Sequence, residues 1–67
     1  MKRGCLIACD KGGKWHALDV GRDLAAYLRR LDRIATDKGR EGEGKGAKEY
    51  TEAWVLSSSG VERKKRF

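Results

Sequence analysis

One stripe of apolar residues between positions 22 and 36 decides most of what this chain can fold into. Leu24, Tyr27, Leu28, Leu31, Ile34 and Ala35 fall at i, i+3, i+4, i+7, i+10 and i+11. That recurrence puts their side chains on one face of an α-helix. Arg22, Arg29 and Arg33 line the opposite side, with Arg30 on the flank. An amphipathic helix of this kind must bury its stripe against another layer of structure. Asp19 or Gly21 suits its N-cap, Asp23 suits the positive first turn, and Gly39 can end it in a left-handed conformation.

The second layer is written on either side. Cys5 to Cys9 is a short apolar run, Lys14 to Val20 is another, and Asp10-Lys11-Gly12-Gly13 lies between them. This reads as a β-hairpin closed by a type I turn with Gly13 in the left-handed position. In that register Cys9 faces Trp15, Ile7 faces Ala17 and Leu6 faces Leu18. A second hairpin is expected over 49–67. Its first strand, Tyr50 to Leu56, has Tyr50, Trp54 and Leu56 on one face and Ala53 and Val55 on the other. Ser57-Ser58-Ser59-Gly60 makes the turn, and Val61 to Phe67 is an edge strand with little to bury. Residues 37–48 carry four glycines and charges of both signs, and read as a flexible, partly disordered loop.

The expected fold is a single α+β domain over residues 1–67. It is a two-layer ββαββ arrangement, with one helix packed on a four-stranded antiparallel sheet in the order 2-1-3-4. The sheet face away from the helix then keeps apolar side chains in the open.

Composition narrows the function. A chain of 67 residues builds one thin core rather than the enclosed pocket that most enzyme sites need. Its 16 Lys and Arg against 10 Asp and Glu leave a net charge of +6, which draws a small domain toward polyanions. No apolar run is long enough to cross a bilayer, and Cys5 to Cys9 is too short for the apolar part of a signal peptide. The expected location is cytoplasmic, without a membrane partner. Cys5 and Cys9 on one strand face lie roughly 13 Å apart, beyond the ~7 Å that a disulfide spans. Two free thiols in a reducing compartment follow.

No enzyme is expected. His16 is the only histidine, and Asp19 or Glu52 becomes its carboxylate partner only by accident of folding. Cys5, Cys9 and His16 offer three metal ligands at most, with no second Cys or His pair, so no metal or cofactor is expected. The glycines of 37–48 follow a helix instead of opening one, unlike a phosphate loop. Ser57, Ser58 and Ser59 are turn residues with no base to activate them.

Binding remains. Arg63, Lys64, Lys65 and Arg66 in succession can follow a phosphate backbone, and equally make a solvated strand edge that resists aggregation. Together with Arg22, Arg29, Arg30 and Arg33 they are the expected nucleic-acid-binding residues. No base-reading element is identifiable, so binding to DNA or RNA is expected to be weakly sequence-specific. The alternative is a protein-interaction or homodimer module using the uncovered sheet face. Trp15 and Trp54 are core residues by default. On the uncovered face, either becomes a stacking platform for bases or a protein hot spot.

Overall fold

The structure, a computed structural model, describes residues 2–67. The elements in chain order are β1 (Arg3–Asp10), β2 (Trp15–Asp23), α1 (Leu24–Thr36), β3 (Arg40–Glu41), a 3-10 turn (Gly44–Gly46), β4 (Lys48–Ser57) and β5 (Gly60–Arg66). No helix among the described residues is long and apolar enough to cross a membrane.

Local chemistry sets the bounds of α1. Asp23 is the N-cap, accepting the Ala25 N–H at 3.3 Å, while the Lys2 carbonyl accepts the Leu24 N–H at 3.0 Å. Both satisfy donors that a helix start leaves unpaired. Asp19 and Gly21 are therefore not the cap, and Arg22 belongs to β2 instead of the helix. At the other end, Gly39 N–H donates to the Ile34 carbonyl and Lys38 N–H to that of Ala35, at 2.8 and 3.1 Å. This is the paired closure of a Schellman motif, with Lys38 at φ 53° in the left-handed region.

The fold is α+β with one helix on an antiparallel sheet, and the expected strand count and order are corrected. Among the described residues there are five strands, along the path β2-β1-β4-β3, with β5 also paired to β4. The added strand arises because the chain leaving α1 runs back beside β4. Tyr50 N–H donates to the Gly39 carbonyl at 2.8 Å, and Arg40 and Glu41 pair with Glu49 and Lys48. Residues 37–48 thus contain a short strand and a 3-10 turn.

Both long hairpins turn through a glycine at positive φ, Gly13 at 86° and Gly60 at 110°. Cys9 faces Trp15 and Ile7 faces Ala17, as the alternation predicts. Leu6 pairs with Asp19 instead of Leu18 because a bulge inserts one residue, and Leu18 packs against the core. Further irregularities lie between Arg3 and Cys5, at Glu62 of β5, and in β4, where Cys9 pairs with Glu52 and Asp10 with Tyr50. Thr51 is the extra residue, which moves Tyr50 to the same side as Ala53 and Val55. Tyr50 is consequently buried and does not share a face with Trp54.

The core lies between α1 and one sheet face. Leu24, Tyr27, Leu31 and Ile34 meet Leu6 and Ala8 of β1 and Tyr50, Ala53 and Val55 of β4. Leu28 is only partly buried, at the margin with Leu18 and Phe67. The buried Tyr27 hydroxyl accepts the Arg22 N–H at 2.8 Å, so its polar end has a partner.

Candidate nucleic-acid interface

Strand alternation decides where the basic residues point. β5 runs along β4 with Arg63 opposite Val55, Lys64 opposite Trp54, Lys65 opposite Ala53 and Arg66 opposite Glu52. Val55 and Ala53 are core residues, so Arg63 and Lys65 lie on the helix side. There they meet Asp32 of α1 at 3.9 and 3.2 Å. Lys64 and Arg66 lie on the open face. The four residues, expected to act as one basic unit, are divided two and two by the period of the strand.

The helix-side arginines divide as well. Arg30 forms a two-point bond with the Glu41 carboxylate, and both side chains are partly buried. That bond raises the Arg30 pKa above its ordinary value. Arg22 Nε lies 3.1 Å from Asp19 Oδ2. Arg29 and Arg33 are exposed, one turn apart on the side of α1 away from its buried stripe, and form no ion pair among the described residues. They border an open groove with Arg40, Glu41 and Glu43, where the two charge signs are mixed. Arg29, Arg33, Lys64 and Arg66 are thus left available for a partner. They lie in two separate places, on the outside of the helix and on the open sheet face.

The open face is an ordered array. Its register gives three rows across β2, β1, β4 and β5: Trp15, Cys9, Glu52, Arg66; then Ala17, Ile7, Trp54, Lys64; then Val20, Cys5, Leu56, Val61. Trp15 and Trp54 lean together across the first two rows, ring centroids 5.0 Å apart and edge to face. Cys9 lies between them in register and is buried, which accounts for a covered thiol on an otherwise open face. Lys64 Nζ sits 4.4 Å from the centre of the Trp54 ring, a cation–π contact. The Trp54 indole N–H donates to Glu52 at 2.9 Å. Trp15 remains 42% exposed, Val20 65% and Val61 46%. Neither tryptophan belongs to the core beneath the helix. Uninterrupted alternation from the Ser57–Gly60 turn would set Arg63 opposite Trp54; a bulge at Glu62 puts Lys64 there instead.

His16 finds a different partner from those expected. It pairs with Ala8 and so points to the helix side, where its Nε2 lies 2.7 Å from Asp10 Oδ2. Cys5 and Cys9 face the other way, which splits the three residues weighed as metal ligands between two faces. The other Asp10 oxygen accepts the Gly12 and Lys14 N–H groups at 2.8 and 2.9 Å. Lys48 and Tyr50 line the same hollow as this pair, and the bonds to Asp10 have the geometry of a turn lock. The His16 bond first, and the turn N–H groups after it, hold the Asp10 carboxyl below the ordinary aspartate value.

A folded-state pKa depressed in this way stabilises the fold above the unfolded value, and that contribution is lost as pH falls through the folded value. The Asp10 carboxyl carbon is accordingly expected to titrate below an aspartate in an unstructured peptide. Asp10→Asn should narrow the stability gap between neutral and acid pH. An ordinary titration midpoint would show that the lock does not hold in solution.

Comparison with protein-family models, with curated proteins and with solved structures finds no match to this chain.

Proposed function

We propose that this chain is a nucleic-acid-binding domain whose contacts are mainly electrostatic and weakly sequence-specific. The observation that carries the reading is the distribution of cations after internal pairing is accounted for. Lys11, Arg22, Arg30, Arg63 and Lys65 lie beside carboxylates, whereas Arg29, Arg33, Lys64 and Arg66, like Lys2, Arg3, Lys14, Lys38, Arg40, Lys45 and Lys48, form no ion pair among the described residues. With a net charge of +6, these free side chains favour a polyanion. Phosphate contacts of this kind position a nucleic acid without reading its sequence.

Binding of a mixed-sequence oligonucleotide, read by anisotropy, is expected to weaken steeply with salt. For two to four neutralised phosphates, log affinity should fall against log salt with a slope of roughly −2 to −4 on duplex. Removing a contacting pair should flatten the slope by about 1.8. The double variants Arg29→Ala/Arg33→Ala and Lys64→Ala/Arg66→Ala therefore assign the face. A lack of binding to DNA and RNA at low salt removes the proposal.

A second reading, a homodimer or protein-interaction module, draws on the exposed Trp15, Val20 and Val61. Association through that apolar surface would persist at high salt, and sedimentation at several concentrations separates it from charge-driven binding.

A further inference from the structure

We infer that the ligand of this domain is single-stranded nucleic acid, held on the open sheet face with bases stacked on Trp15 and Trp54 and phosphates along Lys64, Arg66 and Arg3; this rests on the nucleic-acid reading above. Two independent features of the face agree on it. The first is aromatic: Trp15 is 42% exposed and meets Trp54 edge to face at 5.0 Å. The pair therefore offers indole surface at an angle instead of a closed stack. Unpaired bases have both faces free to stack on such rings, while a duplex hides them. The second feature is charge. Lys64 and Arg66 form one border of the array, and Arg3 continues the β1 row beyond Cys5 and is exposed. All three are without ion pairs among the described residues.

Within the three rows Glu52 is the one carboxylate, and it already accepts the Trp54 indole N–H. Charge complementarity thus selects a polyanion over a second copy of the chain. A two-fold dimer presents the same patch from both sides, bringing Lys64, Arg66 and Arg3 of both copies into one shared interface against Glu52 and the Asp23 that stands opposite Arg3 in register. Lys64, now 4.4 Å over the Trp54 ring, would cede that ring to a base and remain at its edge for the adjoining phosphate. Arg29 and Arg33 lie on the other layer and take no part.

The test is titration of the full chain with oligothymidine and with a duplex of equal length, read by tryptophan fluorescence and by anisotropy of the labelled strand. Single strand is expected to quench the fluorescence and bind more tightly than duplex. Trp15→Leu should weaken single-strand binding about tenfold or more, as loss of one base–aromatic stack does, and Trp15→Phe should restore part of it. Circular dichroism checks that each variant keeps its fold, which the exposed edge position of Trp15 favours. Lys64→Ala/Arg66→Ala should flatten the single-strand salt slope by about 1.4, and Arg29→Ala/Arg33→Ala should leave it unchanged. Equal binding of duplex, with Trp15→Leu at full affinity, overturns the inference and leaves the nucleic-acid reading standing. Absence of binding to either ligand at low salt overturns both. A salt-resistant dimer with buried, unquenchable tryptophans places a second copy on the face and also overturns it.

Discussion

Leu31→Ala is expected to remove most of the stability of this domain. Leu31 is fully buried near the middle of α1, within the core cluster that also holds Leu6, Ala8, Ala53 and Val55. Truncating a buried leucine costs about 2–5 kcal/mol, the upper part of that range where the surroundings cannot collapse into the cavity. A sheet on one side and a helix backbone on the other leave little room for collapse. For a chain this short, total stability is on the order of 3–10 kcal/mol. The expected result is a melting point lower by about 10–25 °C by circular dichroism, or a chain largely unfolded at room temperature. Leu28→Ala should cost distinctly less, because Leu28 sits at the partly exposed margin of the same stripe. If Leu31→Ala melts no lower than Leu28→Ala, the helix is not seated on this sheet face.

The ordering of those two leucines shows how far the sequence reads by itself. The apolar spacing locates the helix and picks out Leu24, Tyr27, Leu31 and Ile34, since a 3.6-residue period is nearly insensitive to where the helix starts. The spacing cannot weigh Leu28 against Leu31, because that depends on how wide the sheet is beneath them. Hairpin turns are equally legible, each having a glycine where the turn needs positive φ. Bulges are not. Nothing in Tyr50-Thr51-Glu52 announces that Thr51 is the inserted residue, and a single insertion is enough to move Tyr50 from the open face to the core. The short strand Arg40–Glu41 escapes for a related reason: its pairing partners lie across a glycine-rich reversal, and propensity says little about two residues.

The candidate site was legible in composition and illegible in arrangement. Eight basic residues stand out from the sequence as candidate phosphate contacts, yet Arg22 and Arg30 each lie beside a carboxylate in the folded chain and Arg63 and Lys65 share that of Asp32. Those partners come from tertiary contacts in three of the four cases, so no local rule finds them. The exception is Arg22 with Asp19, close in sequence. The pairing of Trp54 with Lys64 depends on a further bulge, at Glu62 of β5, and it makes a core-type residue part of the open face.

Gly39→Ala is the other substitution expected to have a large effect, and it combines two costs that can be separated. Gly39 stands at φ 90°, where an L side chain is strained by about 1–3 kcal/mol. It also has no room: a Cβ there would run into the Tyr50 backbone carbonyl and approach Phe67 Cδ2 to 2.8 Å. Forcing atoms into a packed site costs typically 1–3 kcal/mol more. Relief by backbone movement is resisted from both sides. Gly39 N–H closes the helix on the Ile34 carbonyl, and its own carbonyl accepts the Tyr50 N–H that starts the pairing with β4. The Phe67 ring, which covers the end of the core, would be displaced first. Gly21 supplies the control, at φ 84° with nothing within 4 Å of a Cβ, so Gly21→Ala carries the conformational cost alone. Urea denaturation of the two variants should therefore give a loss for Gly39→Ala about twice that for Gly21→Ala, the difference being the packing share. Equal losses would mean that Tyr50 and Phe67 do not close around Gly39, and that the end of the helix is not fastened to β4 as described.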